Sequence, residues 1–256
     1  MKIASWNVNS LRVRLPQVMT WFRESDIDVL AIQETKVEDS SFPIEEITNA
    51  GLFCDYIGQK TYNGVTTISK IPPKESIKLI NGKEQEQKRF LLTRYNKSLT
   101  VLNLYVVNGQ EVGSEKYKYK LSWLNEVKNH IKNDLIKTKY YVVLGDFNIA
   151  PKDEDIYDPT AWKDKILCSK KERKALKDIL NLGFSDSFRL FEQKKDLYSW
   201  WDYRTGAFRR NRGLRIDLIL ANDALAKKCK ESFIDTGPRK NERPSDHAPV
   251  ISTFEI

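Results

Sequence analysis

The chain has 256 residues, of which 40% are hydrophobic and 11% aromatic, with a formal net charge of +8 and a pI near 9.2. That is the composition of a soluble globular protein able to bury a sizeable core, and no apolar run is long enough to span a bilayer. The basic surplus points to a polyanionic partner, although a lysine-rich surface alone has the same signature.

Only His130 and His247 carry imidazoles, so a site built from several histidines is excluded. A metal, if used, must be held mainly by oxygens, which points to magnesium or manganese. Cys54, Cys168 and Cys229 are odd in number and not closely spaced, which fits a reducing compartment and argues against a disulfide framework or a cysteine zinc site. The first residues lack the apolar segment of a secretory signal, so the protein is expected in the cytoplasm.

Lys2 to Val8 reads as a first strand that delivers Asn7 and Asn9 to one face at its end. Ser10 is placed to cap a helix whose apolar residues Leu11, Leu15, Val18, Met19 and Phe22 follow at helical spacing. Asp28 to Thr35 is an apolar strand that runs into Glu34. Strand, helix and strand with polar groups at both strand ends is how open α/β sheets line one rim with a site. A short helix is expected from Phe42 to Gly51, then strands at Cys54 to Gly58 and Val65 to Ser69. Pro72-Pro73 breaks the chain, and Asn81-Gly82 marks a turn in a charged connection.

Arg89 to Tyr95 and Leu99 to Val107 read as paired strands, the second ending on Tyr105 and Asn108. Lys116 to Ile136 is a basic amphipathic helix with Leu121, Leu124, Val127, Ile131 and Leu135 as its apolar stripe; Lys116, Lys118 and Lys120 are assigned to a solvated face. Tyr140 to Leu144 is a buried strand that stops at Gly145 and exposes Asp146 and Asn148 on one side, with Phe147 on the other. In isolation that motif is ordinary turn chemistry.

Residues 149–168 form a long irregular segment, and ordered loops of that length are often functional. A helix from Lys170 to Leu182 ends at Gly183. Between Ser199 and Asp217, Trp200 and Trp201 are interleaved with Arg204, Arg209, Arg210, Arg212 and Arg215, a pattern suited to stacking on bases or sugars while holding phosphates. Ile216 to Leu220 reads as a core strand with an acid, Asp217, that needs a partner. Asp246 and His247 lie just before the last strand, Val250 to Phe254. No internal repeat, low-complexity segment or linker is apparent, and one domain over residues 1–256 is expected.

No nucleophile elbow, activated cysteine or glycine-rich nucleotide loop is present. What remains is Asn7, Glu34, Tyr105, Asp146, Asn148, Asp217, Asp246 and His247, all near strand ends. This inventory suits metal-assisted phosphoryl transfer. Glu34, with an amide or a second acid, would hold a hard cation. Asp146, placed by Asn148, would orient and deprotonate water. His247, paired with Asp217, would present a cationic donor to phosphate oxygens.

Trp6-Asn7-Val8-Asn9, Gln33-Glu34-Thr35-Lys36, Leu104-Tyr105-Val106, Gly145-Asp146-Phe147-Asn148, Gly213-Leu214-Arg215-Ile216-Asp217 and Ser245-Asp246-His247-Ala248-Pro249 occur in the order seen in the exonuclease III family of apurinic/apyrimidinic endonucleases. The chain resembles that family, part of the endonuclease/exonuclease/phosphatase superfamily, from end to end. The resemblance implies an α/β fold: a DNase I-like, four-layered α-β-β-α sandwich with the site at one end. It implies Glu34 as metal ligand with Asn7 beside it and Asp246 assisting, Asp146 as base, Asn148 and Tyr105 on the phosphate, and His247 paired with Asp217. Asn9, Asn108, Lys116 and Arg212 are expected to meet substrate, and Trp200, Leu214 and Ile216 to line a pocket for a flipped-out sugar without a base.

Magnesium, with manganese as substitute, and double-stranded DNA carrying abasic or 3′-blocked lesions are the implied cofactor and partner, the enzyme acting as a monomer and not at a membrane. Two departures stand out. Asn9 occupies a place where some relatives carry aspartate, and Val107 replaces a common proline, which would loosen Tyr105 and Asn108. A phosphatase of the same superfamily, or a DNA-binding module with a decayed site, are the alternatives.

Overall fold

The computed structural model describes residues 1–256, the side chain of Lys97 excepted. In chain order β1 (Lys2–Asn7), α1 (Leu11–Glu24), β2 (Val29–Gln33), α2 (Ile44–Asn49), β3 (Phe53–Ile57) and β4 (Val65–Ser69) come first. Next are β5 (Pro73–Ile77), β6 (Phe90–Tyr95), β7 (Leu99–Tyr105), α3 (Glu115–Asp134) and β8 (Tyr140–Asp146). The last part holds α4 (Pro159–Trp162), α5 (Lys170–Leu180), β9 (Phe184–Asp186), β10 (Asp217–Asn222), α6 (Asp223–Ala226), β11 (Cys229–Ile234) and β12 (Val250–Phe254).

The strands form two six-stranded mixed sheets, ordered β11-β12-β1-β2-β4-β3 and β5-β6-β7-β8-β10-β9. Alternation along each strand sorts side chains into layers. Ile3, Val29 and Ala31 meet Val101, Val142, Leu144 and Ile219 between the sheets. Their neighbours Ala4, Trp6, Leu30 and Ile32 face outward onto Leu11, Leu15, Val18 and Phe22 of α1. On the other side Leu102, Leu104, Val143 and Leu220 pack under Leu124, Val127 and Ile131 of α3 and Leu176 and Ile179 of α5. The result is the expected α-β-β-α sandwich. Near its functional end the sheets are also joined by polar contact, Gln33 Nε2 donating to Asn103 Oδ1 at 2.8 Å.

Each sheet centres on one parallel pair, β1 with β2 and β7 with β8, flanked by antiparallel neighbours. The pairing pattern is therefore repeated although no sequence repeat was apparent. The register sets Tyr105, Asp146 and Asp217 side by side across β7, β8 and β10. Gly145 makes this possible. Its φ is +143°, and an added Cβ would lie 1.9 Å from the carbonyl oxygen of Leu104 on β7.

Some expectations change. Pro73 begins the edge strand β5 instead of only breaking the chain, as a proline can where its missing N–H faces no neighbour. Ser10 sits at the N-cap position of α1 but makes no side-chain cap; its N–H and that of Leu11 donate to Glu34 and Thr35 carbonyls. Lys120 is wholly buried, whereas Lys116 and Lys118 are exposed.

Gly145→Ala is expected to destabilise the fold by roughly 3 kcal/mol or more, since a rigid backbone oxygen must move. Calorimetry should register this as a Tm lower by about 6–12 °C. An unchanged Tm would show that β7 and β8 can part without loss.

Candidate active site

The four central strands end at the same edge of the sandwich, β1 and β2 from one sheet and β7 and β8 from the other. Asn7 closes β1 and bridges the sheets: its Nδ2 donates to Glu34 Oε1 and to Asp146 Oδ2, both at 2.9 Å. Tyr105, the last residue of β7, donates its hydroxyl to the same Glu34 oxygen at 2.9 Å. Glu34 follows β2 and Asn148 follows β8, and both adopt left-handed backbone, with φ of 54° and 48°. That conformation is uncommon for a glutamate and marks a chain held in place by its surroundings.

Asp146 accepts from the Asn148 backbone N–H at 2.9 Å and from Asn148 Nδ2 at 3.2 Å. Asn148 Oδ1 in turn accepts from Asn108 Nδ2 at 3.0 Å. Asn108, which follows Val107, has both its side chain and its carbonyl engaged. From the C-terminal side, His247 Nδ1 lies 2.9 Å from Asp217 Oδ2, leaving Nε2 directed toward Asp146, 3.8 Å away. Two serines fix this pair. Ser245 Oγ donates to the Asn7 carbonyl, and Ser199 Oγ accepts from the N–H groups of Ile216 and Asp217.

Asp246 stands on the far side of Asn9, which donates to its Oδ1 at 3.0 Å, while Trp200 Nε1 donates to Oδ2 at 3.0 Å. Asn9 Oδ1 accepts from Lys36, whose ammonium also pairs with Glu34 Oε2 at 2.9 Å. An aspartate at position 9 could not donate to Asp246, so the amide has its own physical reason. Burial would raise Glu34, but Lys36 and the Asn7 amide outweigh it and leave the carboxyl below its ordinary value. Burial and the Glu34 charge keep the Tyr105 phenol well above its ordinary value, so it remains a donor.

Two groups are tuned hardest. Burial pushes Asp146 up to about 7, with Asp217 adding to the rise and His247 opposing it. For His247, burial acts downward, but the carboxylates of Asp217 and Asp146 prevail and raise it to about 10. Asp146, Asp217 and His247 also have ligand atoms within 4.8 Å of one another. With the imidazole hydrogen-bonded and charged, that group already holds its cation. Glu34, a hard oxygen donor whose side chain is 17% exposed, fits a magnesium-type ion better. Wholly buried Asn7 orients it through Nδ2, while its own Oδ1 accepts from the Asn9 N–H at 3.0 Å.

Trp200 is only partly buried, but Leu214 and Ile216 are 0% and 1% exposed, covered by Ile156, Leu167, Cys168 and Ala150. The expected sugar pocket is thus closed at two of its three walls. Lys116 and Arg212 stay on the surface, and among the described residues their side chains make no hydrogen bond or ion pair. Sequence reasoning gave no role to Arg89, whose guanidinium lies 4.3 Å from the centre of the Tyr105 ring, or to Arg14, which is buried and donates to the Val8 and Pro244 carbonyls. Arg14 had a signal: it falls within the apolar stripe of α1.

Residues 4–247 match the model of the endonuclease/exonuclease/phosphatase family. The chain belongs to that family. It is similar over the full length of both proteins to exodeoxyribonuclease III of Haemophilus influenzae, at 34% identity. Among solved structures, a 3′-5′ exonuclease from Neisseria meningitidis is 40% identical with a TM-score of 0.97, and an AP endonuclease from Archaeoglobus fulgidus 35% identical with a TM-score of 0.95. Each covers 100% of both chains. These matches place the protein in the exonuclease III and AP endonuclease branch: it is a DNA repair nuclease, a hydrolase.

The pH–rate profile is expected to be a bell. Activity should rise as Asp146 ionises near pH 7 and fall as His247 loses its proton near pH 10. A divalent cation nearby favours the carboxylate and draws the acid limb lower. Asp217→Asn removes charge that retains the His247 proton, so its alkaline limb should move to lower pH. An alkaline limb that stays in place would refute the pairing.

Proposed function

We propose that this nuclease hydrolyses the phosphodiester on the 5′ side of abasic sites in duplex DNA, leaving a 3′-hydroxyl, with magnesium as cofactor. 3′→5′ exonuclease and 3′-phosphatase activity accompany it. The observation that carries this reading is the placement of Asp146. Its carboxylate is fixed by Asn7 and Asn148 on one side and stands 3.8 Å from a protonated His247 on the other. A base with a raised pKa next to a fixed cation is what in-line attack of water on a phosphate needs.

In this mechanism Asp146 takes the proton of the attacking water as its oxygen bonds to phosphorus. His247 Nε2 donates to a phosphate oxygen while Asp217 retains the imidazolium. Tyr105 and Asn148, aided by Asn108, orient the same phosphate. The bond from phosphorus to the upstream 3′-oxygen breaks, and the departing oxygen takes a proton from solvent water to become the 3′-hydroxyl. Glu34, with Asn7 beside it, would hold magnesium, which when bound neutralises charge on the phosphate. The +8 net charge favours DNA as the polyanion.

A second reading, in which processing of 3′ ends dominates, is favoured by the burial of Leu214 and Ile216. The Neisseria structures at 40% identity, named as a 3′ phosphatase and a 3′-5′ exonuclease, favour it too. Entry of a bare sugar requires that wall to open, whereas a terminal phosphate needs only the edge where Asp146 and His247 lie.

The test is incubation with duplex DNA carrying one abasic site, and in parallel with a recessed 3′-phosphate, each with magnesium or EDTA. Cleavage at the lesion that needs magnesium is expected, with Asp146→Asn slower by about 10²–10⁴-fold. Phosphate release without lesion cleavage would replace the first reading by the second. No magnesium-dependent product from either substrate, or full activity in Asp146→Asn, would overturn both.

A further inference from the structure

Lys120 belongs to the face of α3 that packs on the second sheet, between Tyr117 and Leu124, and it is 0% exposed. A lysine there must satisfy three donors without water. One goes to Glu172 on α5, also 0% exposed. The other two leave the helices altogether. They reach the backbone carbonyl of Asn148, at 2.7 Å, and that of Asn108, at 3.1 Å. The two loops that follow β7 and β8 are thus tied to one ammonium, and the side chains they carry are tied to each other.

We propose that Lys120 is a positioning residue for phosphodiester hydrolysis: its ammonium sets the separation and orientation of the Asn108 and Asn148 loops, and through Asn148 the placement of Asp146. Both loops need such an anchor. Asn148 holds a left-handed backbone at φ 48°, and Gly109, at φ +92°, lies so close that a Cβ there would be 3.2 Å from the Lys120 stem. Asn148 is also the residue whose N–H and amide fix the two oxygens of Asp146. A displacement of its carbonyl therefore moves the base.

A purely structural ion pair is the competing account. Buried ion pairs are often replaceable by apolar residues of similar size without loss of stability, so stability alone is a weak reason for this one. Glu172 extends the anchor instead of merely neutralising it. It accepts from the N–H groups of Leu167 and Ser169, both at 3.1 Å, so the end of the 149–168 segment is held by the same carboxylate. Tyr117, one turn before Lys120, joins Ser169 through its hydroxyl at 2.7 Å.

The proposal rests on the reading of Asn148 as a phosphate contact, and the experiment separates the two. Lys120→Met with Glu172→Met removes both charges together and leaves no unpaired ion. It is compared with Asn148→Ala and with the triple variant, on whichever DNA substrate the wild type turns over. The Met pair leaves the Asn108 and Asn148 carbonyls and the Leu167 and Ser169 N–H groups without these partners, so its Tm is expected to fall. At a temperature where it stays folded, kcat should drop by roughly 10–100-fold with KM within about 3-fold of wild type. In the Asn148→Ala background the same pair should cost less than about 3-fold more, because the residue it positions is gone.

Losses that multiply fully with Asn148→Ala, or a KM effect with kcat intact, would overturn the role of Lys120. Should the Met pair fail to fold, Glu172→Gln is read in the same way. It weakens the anchor and is expected to show a smaller kcat loss with the same non-additivity; a loss that multiplies would overturn the role equally. Wild-type kcat in Asn148→Ala alone would instead remove the reading of Asn148 on which the proposal rests.

Discussion

Asp146 and Asp217 face each other across β8 and β10, each 1% exposed, and this crowding of buried like charge governs the rest of the site. Two unit charges with oxygens within 4.8 Å of each other repel by about 3 kcal/mol or more even at an effective dielectric of about 20. One imidazolium relieves the conflict, 2.9 Å from one carboxylate and 3.8 Å from the other. Its charge is retained by the acids, and one acid is in turn held near neutrality by burial. Donors complete the balance: the Asn7 amide, the Asn148 N–H and the Tyr105 hydroxyl all point at carboxylate oxygens. The same balance leaves a carboxyl raised to about 7 beside an imidazole raised to about 10.

The repeated pairing pattern explains why the groups meet. Each sheet contributes a central parallel pair, and each pair delivers one neutral donor and one carboxylate at or just past its end: Asn7 with Glu34, Tyr105 with Asp146. Left-handed residues follow the second strand of each pair, Glu34 directly after β2 and Asn148 two residues after the end of β8. Chemistry here is a property of strand register, since a one-residue slip would turn each of these side chains to the opposite face.

Much of this was legible because the polar groups of the candidate site follow long apolar strands, where a sudden polar residue is conspicuous. The boundaries of β4 and β12 fall where β propensity and turn residues put them. What escaped notice has physical reasons. β5 and β11 are edge strands with exposed lysines and glutamates, and β9 is only three residues long, so none shows a clean alternation. Lys120 and Arg14 were misread or passed over because charge was weighed above position, although both fall within the apolar stripe of their helices. The closure over Leu214 and Ile216 depends on how residues 149–168 fold back, a long-range contact that no local pattern encodes.

The first strand lies between β2 and β12, so the site joins opposite ends of the polypeptide. Trp6 Nε1 donates to the His247 carbonyl across 241 positions, and Ser245 closes onto the Asn7 carbonyl. At ribosomal speeds, the N-terminal strand waits on the order of ten seconds or more for this partner to be made. Through that interval Asn7, Glu34 and Asp146 stand without the imidazole of His247. A chain that lacks residues 245–247 therefore loses the imidazole and, with it, the partners of the Trp6 indole and the Asn7 carbonyl.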